Sequence, residues 1–371
     1  MTTQHTSANF PPKNRERGVL CALSGGVDSS VAALLLKREG FDVLCATMKL
    51  LAGVLENEEG RRTCCSAKDI LDAEKAAKKL DLDFMVFNFS LFFEKEVMER
   101  FADSYARGLT PNPCVLCNSR MKFRHLLDRA DALNRDFLAT GHYARVEFDG
   151  ERHVLKKAAD LEKDQSYVLY PLTQEELSRA LFPLGNLTKT EVRKIAAGAG
   201  LENAGKPESQ DICFVPDGDY GAFLEGFARS LPPPGDIVDV RGKILGKHKG
   251  LHRYTIGQRK GLGLPGPAPS YVVRIDPENN VLAVGGPGDL LSDAARVGDV
   301  NFVSIPGLEK PLRASVKIRY RQPETPCEVS PLPDGTLRAV FDVPQKAVTP
   351  GQAAVFYSSD RVLFGGTILR D

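Results

Sequence analysis

The segment from Gly18 to Gly40 constrains the fold more than any other part of the chain. Its first six residues, GVLCAL, form an apolar run of strand length, and the ten residues from Val31, VAALLLKREG, have helical spacing and end in glycine. A glycine just after the last helical residue is a common helix C-cap. Between the two runs lies the short stretch SGGVDSS, residues 24–30. A strand, a tight turn and a helix in this order predict the start of a parallel α/β sheet.

The same alternation continues through the first half of the chain. Strands and helices that follow one another in this way form a parallel sheet with helices packed on both faces. The further strands are predicted at residues 41–50, 83–90 and 137–144, and the further helices at residues 66–80, 91–106 and 119–134.

After about residue 215 the pattern changes. The breaker sequences LPPPG (231–235) and LPGPAPS (264–270) are interleaved with and followed by short strands of alternating polarity, such as YVVRID and LRAVFDV. This pattern predicts an antiparallel sheet or barrel. We expect three domains: a parallel-sheet nucleotide-binding domain, a small mixed central domain and a C-terminal antiparallel β-barrel. Their predicted ranges are residues 1–215, 216–285 and 286–371.

Composition narrows the class of protein. A net charge of +1 over 371 residues means that local basic patches, not a global field, must hold any nucleic acid. The longest apolar runs are too short to span a bilayer, and the N-terminus lacks the apolar stretch of a secretory signal. We therefore expect a cytoplasmic protein without a membrane partner. Eight cysteines are too few for a disulfide scaffold here, and clustered cysteines in a reducing cytosol indicate metal binding or catalysis.

The stretch SGGVDSS has the features of a phosphate-binding loop. Adjacent glycines allow a sharp turn close to a ligand, and the following helix N-terminus favours an anion. A Walker A loop would carry a lysine that reaches the transferred phosphate, and that lysine is absent here. A loop of this kind suits pyrophosphate as a leaving group, with Asp28 as a candidate magnesium ligand. The plain alternative is a structural strand–turn–helix junction.

SGGVDSS resembles the signature of the PP-loop ATP pyrophosphatases, which cleave ATP to AMP and pyrophosphate. Five further stretches make the chain similar to the tRNA-specific 2-thiouridylase family. The resemblance implies a sulfurtransferase that adenylates the C2 oxygen of the wobble uridine in tRNA and replaces it with sulfur, giving 2-thiouridine, AMP and pyrophosphate. The five stretches are TPNPCVLCNSRMKF (110–123), ATGHYAR (139–145), KDQSYVLY (163–170), SQDICF (209–214) and GQRKGLG (257–263).

The resemblance implies ATP and Mg²⁺ as cofactors. Ligands of parallel sheets bind at the carboxyl ends of strands, which also favours Met48 and Gly141 as neighbours of the adenine and ribose. The ATP-binding residues implied are Ala22, Leu23, Ser24, Gly25, Gly26, Val27, Asp28, Ser29, Met48 and Gly141.

Three cysteines fall in the matching stretches. The resemblance implies that Cys117 is the nucleophile and that Cys213 carries a persulfide, with a transient disulfide between them releasing the sulfur. The reactive thiolate needs a pKa at or below roughly 8.5, the value of a free thiol. The sulfur would come from a protein persulfide relay or from hydrosulfide.

Cys114 stands where the commoner family pattern has aspartate, and it leaves alternatives open. Three thiols, Cys114, Cys117 and Cys213, suit an iron–sulfur cluster with one open iron that holds hydrosulfide. A zinc ion on the same cysteines and His142 is a second metal option, and an inert Cys114 is a third interpretation. Cys64 and Cys65 would be either a second sulfur relay or structural residues. Cys21, Cys45 and Cys327 lie in strand-like runs and are expected in the core.

The resemblance also implies tRNA as the partner. Asn112, Pro113 and Cys114 would face the target base, which must leave its stack to be reached. We expect Asp164 to orient Lys163 or Gln165, because a carboxylate would repel phosphate. In ASVKIRYRQ (314–322) three cations alternate with apolar residues, which indicates either a phosphate-binding face or a charged edge strand. The implied tRNA contacts are His142, Lys163, Asp164, Gln165, Arg319, Tyr320 and Gln352.

Two rival functions remain at this stage. One is another PP-loop enzyme that amidates or ligates a small molecule, which would have no use for three cysteines. The other is a non-catalytic redox- or iron-sensing RNA-binding protein that has kept the nucleotide fold.

Overall fold

The computed structural model describes residues 17–51, 67–205, 212–215, 218–265 and 269–370. These residues pack into two compact units, each drawn from separate stretches of the chain. The first unit takes its described residues from within Met1–Glu96, Cys114–Phe214 and Ser359–Val362. The second takes them from within Val97–Pro113, Val215–Ser358 and Leu363–Asp371.

A parallel sheet forms the centre of the first unit. Five strands lie in the order β3-β2-β1-β4-β7, and every neighbouring pair is parallel. The other two strands of this unit, β5 and β6, form an antiparallel hairpin. The seven strands are β1 (Gly18–Ala22), β2 (Asp42–Lys49), β3 (Asp83–Asn88), β4 (Phe137–Ala139), β5 (Ala144–Phe148), β6 (His153–Lys157) and β7 (Ala180–Leu181).

The helices of the described residues lie between these strands in the sequence, and some of them belong to the second unit. The α-helices are α1 (Val27–Arg38), α2 (Ala67–Lys79), α3 (Ser90–Phe93), α4 (Arg100–Ala106), α5 (Pro113–Leu116), α6 (Arg124–Ala132), α7 (Ser166–Leu169), α8 (Gln174–Arg179), α9 (Lys189–Gly198) and α10 (Tyr220–Phe227). Two π-helical stretches, Glu94–Glu99 and Cys117–Phe123, connect α3 to α4 and α5 to α6. Short 3-10 turns lie at Glu202–Gly205, Leu251–Arg253 and Pro287–Leu290.

Helix α1 is a core helix, as its sequence predicts. Eight of its twelve residues are buried, so it is apolar on most of its circumference and packs into the centre of the unit. It ends where predicted, because Gly40 adopts a left-handed φ of 87° just beyond the last turn. Apolar residues of α2, α9 and the strands β1, β2 and β4 share this core.

The predicted strand over 137–144 is wrong in one respect, because it is two strands. β4 ends at Ala139, and β5 begins at Ala144 after a turn that contains Gly141. A Cβ atom at Gly141 would lie 2.7 Å from the Ser29 amide nitrogen, so the turn passes directly against α1. The hairpin β5–β6 was also missed. Its turn holds Gly150 at a φ of 106°, a position suited to glycine.

The second unit contains a small sheet of four strands in the order β10-β11-β8-β9. Strands β11 and β8 pair in parallel, whereas the other neighbours are antiparallel. Its core is a compact apolar group that includes Ile237, Val272 and Leu282. The strands are β8 (Gly235–Asp239), β9 (Ile244–His248), β10 (Tyr271–Asp276) and β11 (Val281–Gly285).

The last strands close into an antiparallel barrel. They follow the order β12-β15-β14-β13-β16-β17, and a further pairing of β12 with β17 closes the ring. The fold class predicted from the sequence is therefore confirmed, with a parallel-sheet domain, a small mixed sheet and a terminal barrel. The strands are β12 (Leu291–Phe302), β13 (Leu312–Lys317), β14 (Thr325–Pro331), β15 (Leu337–Lys346), β16 (Ala353–Ser358) and β17 (Arg361–Ile368).

None of the helices within the described ranges is long and apolar enough to cross a membrane.

Candidate functional site

The predicted nucleotide residues meet at the carboxyl edge of the parallel sheet. The loop at 24–30 follows β1, Met48 lies near the end of β2, and Gly141 follows β4. Strand β1 lies between β2 and β4, and the strand order reverses there, since β2 and β3 extend to one side and β4 to the other. Ligands of open α/β sheets bind at such a switch point. The three sequence segments that were predicted separately therefore share one edge.

Two glycines give the loop its shape. Gly25 has a φ of 71°, in the left-handed region, and a Cβ atom there would overlap the backbone carbonyl of Asp69 at the start of α2. Gly26 is the N-cap of α1 with an extended backbone, and no side chain caps the helix there. An α-helix whose first turn has no side-chain cap can direct its N–H groups at an anion. The turn thus has the backbone geometry that phosphate binding requires.

Side-chain hydrogen bonds hold the loop in this form. The hydroxyls of Ser29 and Ser30 donate to the Gly26 carbonyl at 3.1 and 3.0 Å, and Ser29 Oγ also accepts from the Ser24 amide at 3.1 Å. Asn203, in the 3-10 turn after α9, donates to the Gly25 carbonyl at 3.2 Å and to Ser30 Oγ at 2.9 Å. Of the serines only Ser24 is exposed, so Ser29 and Ser30 support the loop from below.

Asp28 is paired with a lysine from a distant helix. Lys189, the first residue of α9, places its Nζ 2.8 and 2.7 Å from the two carboxylate oxygens of Asp28. The Tyr143 hydroxyl donates to Asp28 Oδ1 at 2.8 Å, and its ring lies 5.8 Å from Lys189 Nζ. The lysine side chain is 10% exposed and that of Asp28 28% exposed. Because the lysine neutralises this carboxylate, the residues present fit a magnesium ion held by Asp28 poorly.

The cysteine pair begins a helical segment. Cys114 lies in α5 and is exposed, and Cys117 is half-buried at the start of the π-helical stretch Cys117–Phe123. That stretch is tied to the other π-helical stretch by an ion pair of 3.6 Å between Arg120 and Glu96. π-Helical turns are rare and occur frequently at functional sites. The C-x-x-C segment therefore has an unusual backbone as well as accessible thiols.

Cys213 belongs to the same compact unit as Cys114 and Cys117 and is half-buried. The ring of its neighbour Phe214 packs edge-on against Phe93 at 5.6 Å. Within the ranges that the structure describes, no three or more cysteine, histidine, aspartate or glutamate side chains are grouped so that they could hold a metal ion. As placed, the three cysteines fit neither an iron–sulfur cluster nor a zinc ion.

The remaining described cysteines are core residues, as expected. Cys21 and Cys45 lie side by side in β1 and β2, and Cys327 is buried in β14. Burial raises the pKa of the Cys45 and Cys327 thiols to about 12 and that of Cys21 well above its usual value. These thiols are therefore poor nucleophiles. Cys64 and Cys65 lie outside the described residues.

His142 is buried, with 7% exposure, between the rings of Phe123 and Phe182. Its Nδ1 shares a hydrogen bond of 2.7 Å with the Thr140 hydroxyl. Burial, reinforced by the nearby charge of Lys122, lowers the pKa of the imidazole well below its usual value. His142 is therefore a neutral polar group, and its contact with tRNA stays a prediction.

The segment 163–165 is held by its own carboxylate. Asp164 is buried and accepts hydrogen bonds from the Ala158 amide at 3.0 Å and from the Ser166 amide and hydroxyl at 3.2 and 2.8 Å. These bonds show that the carboxylate fixes the surrounding loop, and the expectation that Asp164 orients Lys163 or Gln165 stays a prediction. Lys163 and Gln165 are half-buried. Their contact with tRNA stays a prediction.

The predicted tRNA contacts of the second unit have structural partners. Arg319 donates to the Ala347 carbonyl and the Thr349 hydroxyl, both at 2.8 Å, and Gln352 donates to the Thr110 carbonyl at 2.8 Å. Strand β13 ends at Lys317, yet the predicted alternation of burial continues to Ile318, which is 1% exposed, and it stops before Tyr320, which is exposed. Asn112 and Pro113 belong to this unit, whereas Cys114 belongs to the first.

Three residues of the site were missed by sequence reasoning: Lys189, Tyr143 and Asn203. For Lys189 a local signal existed, because Thr188 and Glu191 form a capping box that places the lysine in the first turn of α9. Nothing local indicates its pairing with Asp28, 161 residues away. Tyr143 lies inside the quoted stretch ATGHYAR, but its direction depends on the break between β4 and β5.

Three family models match the chain in order. The model described as tRNA methyl transferase HUP domain matches residues 17–217. The tRNA methyl transferase PRC-barrel domain model matches residues 221–286, and the aminomethyltransferase beta-barrel domain model matches residues 292–368.

Curated relatives match over nearly their whole length. The tRNA-specific 2-thiouridylase MnmA of Acetivibrio thermocellus is 47% identical over 358 residues, which is 95% of this chain and 99% of the relative. The protein of the same name from Moorella thermoacetica is 48% identical over 351 residues, 94% of this chain and 98% of the relative. The resemblance inferred from the sequence is confirmed. The chain belongs to the tRNA-specific 2-thiouridylase family.

Proposed function

We propose that this chain is a tRNA sulfurtransferase that converts the wobble uridine of its tRNA to 2-thiouridine at the expense of ATP. The observation that carries the proposal is the loop at 24–30, a lysine-free glycine turn at the switch point of the sheet, directly before a helix without a side-chain cap. Membership in a family whose curated relatives are named tRNA-specific 2-thiouridylase supports the same function.

The first step is activation of the uridine. The C2 oxygen attacks the α-phosphate of ATP, an O–P bond forms, and pyrophosphate leaves with the electron pair of the broken P–O bond. The first turn of α1 has no side-chain cap and Ser24 is exposed, so the N–H groups of this turn and the Ser24 hydroxyl are the proposed donors to phosphate. Lys189 neutralises Asp28, so the loop presents little negative charge to an anion. Magnesium, when bound with ATP, would screen the charge of the phosphates.

The second step is replacement of the activated oxygen. The terminal sulfur of a persulfide on Cys213 attacks C2, and AMP leaves with the former C2 oxygen. The Cys117 thiolate then attacks the inner sulfur of Cys213, which forms a Cys117–Cys213 disulfide and releases the sulfur on C2 as 2-thiouridine. A thiol reductant must reduce that disulfide before the next cycle. This route requires no metal, and the three thiols that it could use are exposed or half-buried, which supports the proposal.

A protein persulfide is the proposed sulfur donor. Cys213 is half-buried and Cys114 is exposed, so a donor protein can reach these two cysteines from solvent. The proposed contacts with tRNA are those predicted from the sequence, with Asn112, Pro113 and Cys114 at the target base. The domain boundaries near residues 215 and 285 and the cytoplasmic location also stay predictions.

One observation favours a second candidate function, because two of the matching family models carry the description tRNA methyl transferase. A methyl transferase has no need of ATP cleavage between the α- and β-phosphates or of reactive cysteines. The experiment that separates the two supplies purified protein with unmodified tRNA, ATP, Mg²⁺ and a persulfide donor. Nucleotide products are resolved by chromatography and modified nucleosides by mass spectrometry.

We expect tRNA-dependent AMP and pyrophosphate together with 2-thiouridine. ADP in place of AMP contradicts the proposal, and so does a methylated nucleoside without 2-thiouridine. ATP consumption that is independent of tRNA would favour the ligase alternative, and no consumption at all would favour the non-catalytic RNA-binding protein.

A further inference from the structure

Four residues link the predicted tRNA segment to the phosphate loop by direct contacts within the first unit. The chain of contacts runs from Gln165 through Tyr143 to Asp28 and Lys189. Each residue comes from a different part of the sequence, and Tyr143, which follows the turn after β4, contacts Asp28 directly.

The Asp28–Lys189 ion pair ends this series of contacts, and further contacts hold both of its members. Both oxygens of Asp28 accept from Lys189, and the lysine is mostly buried. A buried ion pair requires good geometry and further hydrogen bonds, because desolvation of both charges must be offset. Tyr143 contributes to both members, since its hydroxyl donates to Asp28 and its ring lies beside the Lys189 ammonium.

The backbone of Tyr143 is in turn held by Gln165. The backbone N–H of Tyr143 donates to the side-chain oxygen Oε1 of Gln165 at 2.9 Å. The backbone N–H of Gln165 donates to the Tyr143 carbonyl at 2.8 Å. The Tyr143 ring is 3% exposed, which leaves it little freedom to change position independently. A displacement of Gln165 therefore changes the position of the Tyr143 hydroxyl relative to Asp28.

Gln165 is the last residue of the segment 163–165, and the loop around this segment is held by hydrogen bonds to Asp164. Asp164 fixes the loop to Ala158 and Ser166, while the side chains of Lys163 and Gln165 remain half-exposed. An RNA phosphate or base that contacts these two side chains thus acts on a segment with one direct connection to Tyr143.

We propose that Tyr143 is a positioning residue that couples tRNA contact at Lys163 and Gln165 to the geometry of the Asp28–Lys189 pair beside the phosphate loop. The inference rests on the proposed function, because it needs tRNA and ATP as ligands. Binding of tRNA fixes the position of the Gln165 side chain, and Gln165 in turn fixes the position of Tyr143. The Asp28 carboxylate then holds the Lys189 ammonium where it neutralises the negative charge of the loop. Since coupling is reciprocal, tRNA tightens nucleotide binding by the same factor by which nucleotide tightens tRNA binding.

The test measures this coupling as a ratio. Calorimetry gives the Kd of a non-cleavable ATP analogue without and with a saturating tRNA transcript that carries a wobble uridine. For the wild-type protein we expect the transcript to lower the Kd by roughly 5- to 150-fold, the usual range of coupling between two sites. For Tyr143→Phe, which keeps the ring and removes the hydroxyl, we expect the ratio to fall below about twofold.

Tyr105→Phe is the matched control, because it removes another buried tyrosine hydroxyl, in the second unit, and should keep the wild-type ratio. A purely structural role of Tyr143 would lower the melting temperature but leave the ratio unchanged. If Tyr143→Phe does not fold, Gln165→Met serves in its place, since it removes the acceptor of the Tyr143 amide. A wild-type ratio of one, or a wild-type ratio retained in the folded variant, overturns the inference.

The thiolation assay on the same wild-type preparation separates this inference from the proposed function. If 2-thiouridine forms while the variant keeps the ratio, only the coupling role of Tyr143 fails. If no 2-thiouridine forms, the proposed function fails whatever the ratio.

Discussion

The phosphate loop and the cysteine segment belong to the same compact unit, yet they are built in opposite ways. The loop is braced by its own serines, by Asn203 and by a paired Asp28, and most of it is buried. The cysteine segment exposes Cys114 in α5 and leaves Cys117 half-exposed at the start of a π-helical stretch, and Cys213, from another part of the chain, is half-exposed too. The difference teaches that the proposed ATP activation would use a preformed loop, whereas the proposed sulfur transfer would use thiols that a donor can reach.

The largest expected effect comes from a variant of the cysteine segment that stops sulfur transfer but leaves activation of the uridine by ATP possible. Cys117→Ser should abolish 2-thiouridine, because a hydroxyl cannot attack the sulfur of Cys213 at neutral pH, while AMP still forms as a tRNA-dependent burst of about one equivalent per enzyme before the unresolved adduct between Cys213 and C2 stops turnover. The two products are followed in the same reaction by nucleoside mass spectrometry and nucleotide chromatography. Cys327→Ala, at a buried thiol of the barrel, is the control and should retain both products. Near-normal 2-thiouridine from Cys117→Ser would refute the assigned role.

A smaller effect should reach both halves at once. Gly141→Ala places a Cβ atom 2.7 Å from the Ser29 amide nitrogen and 2.9 Å from the Asp28 carbonyl carbon, so the loop must shift. We expect AMP formation and thiolation to fall together by about 10²-fold, the cost of displacing a catalytic group by roughly 1 Å. The stability should fall by about 1–3 kcal/mol, as for other overpacked sites.

Gly198→Ala is the matched control for that variant. It lies in α9 of the same unit, and an added Cβ there meets no atom within 4 Å. We expect wild-type activity and a change in unfolding free energy within about 1 kcal/mol. Loss of thiolation alone in Gly141→Ala, with AMP formation intact, would show that the turn after β4 serves the cysteine half instead.

The smallest expected effect is on the pH dependence of the free energy of unfolding, through the buried imidazole of His142. Because burial lowers the pKa of His142, the unfolded chain binds a proton near pH 6.5 that the folded chain does not. The contribution of His142 is therefore complete above pH 6.5 and is lost as the pH falls, at about 1.4 kcal/mol for each pH unit. Chemical denaturation at pH 7.5, 6.0 and 5.0 should show a shallower pH dependence for His142→Gln than for the wild type. An identical slope would contradict the placement of the imidazole.

The sequence was sufficient for those features that depend on local backbone geometry. Gly25 and Gly26 follow an apolar run and precede a helix, so their turn was predictable, and Gly40 marked the helix end. The barrel was predictable from alternation and breakers, and Cys327 was expected in the core, although β12 has an irregular burial pattern that its sequence did not indicate.

What the sequence did not contain is the meeting of distant side chains. Lys189 reaches Asp28 across 161 residues and Asn203 reaches Gly25 across 178, and neither pairing leaves a local pattern. Polar residues such as Asp164 posed the same difficulty, because only the fold decides whether a carboxylate faces phosphate or its own backbone. The sequence predicted the buried position of Cys21, Cys45 and Cys327, but not the spatial arrangement of Cys114, Cys117 and Cys213, whose chemistry stays a prediction.

The buried cysteines have a consequence for the fidelity of sulfur handling. A persulfide passes its sulfur only to a thiolate, and a thiol with a pKa of about 12, as at Cys45 and Cys327, is ionised in roughly one molecule in 10⁵ at pH 7. In the proposed persulfide route these buried thiols would therefore not accept the sulfur carried on Cys213. The low reactivity of the core would thus protect the protein from side reactions with its own substrate sulfur.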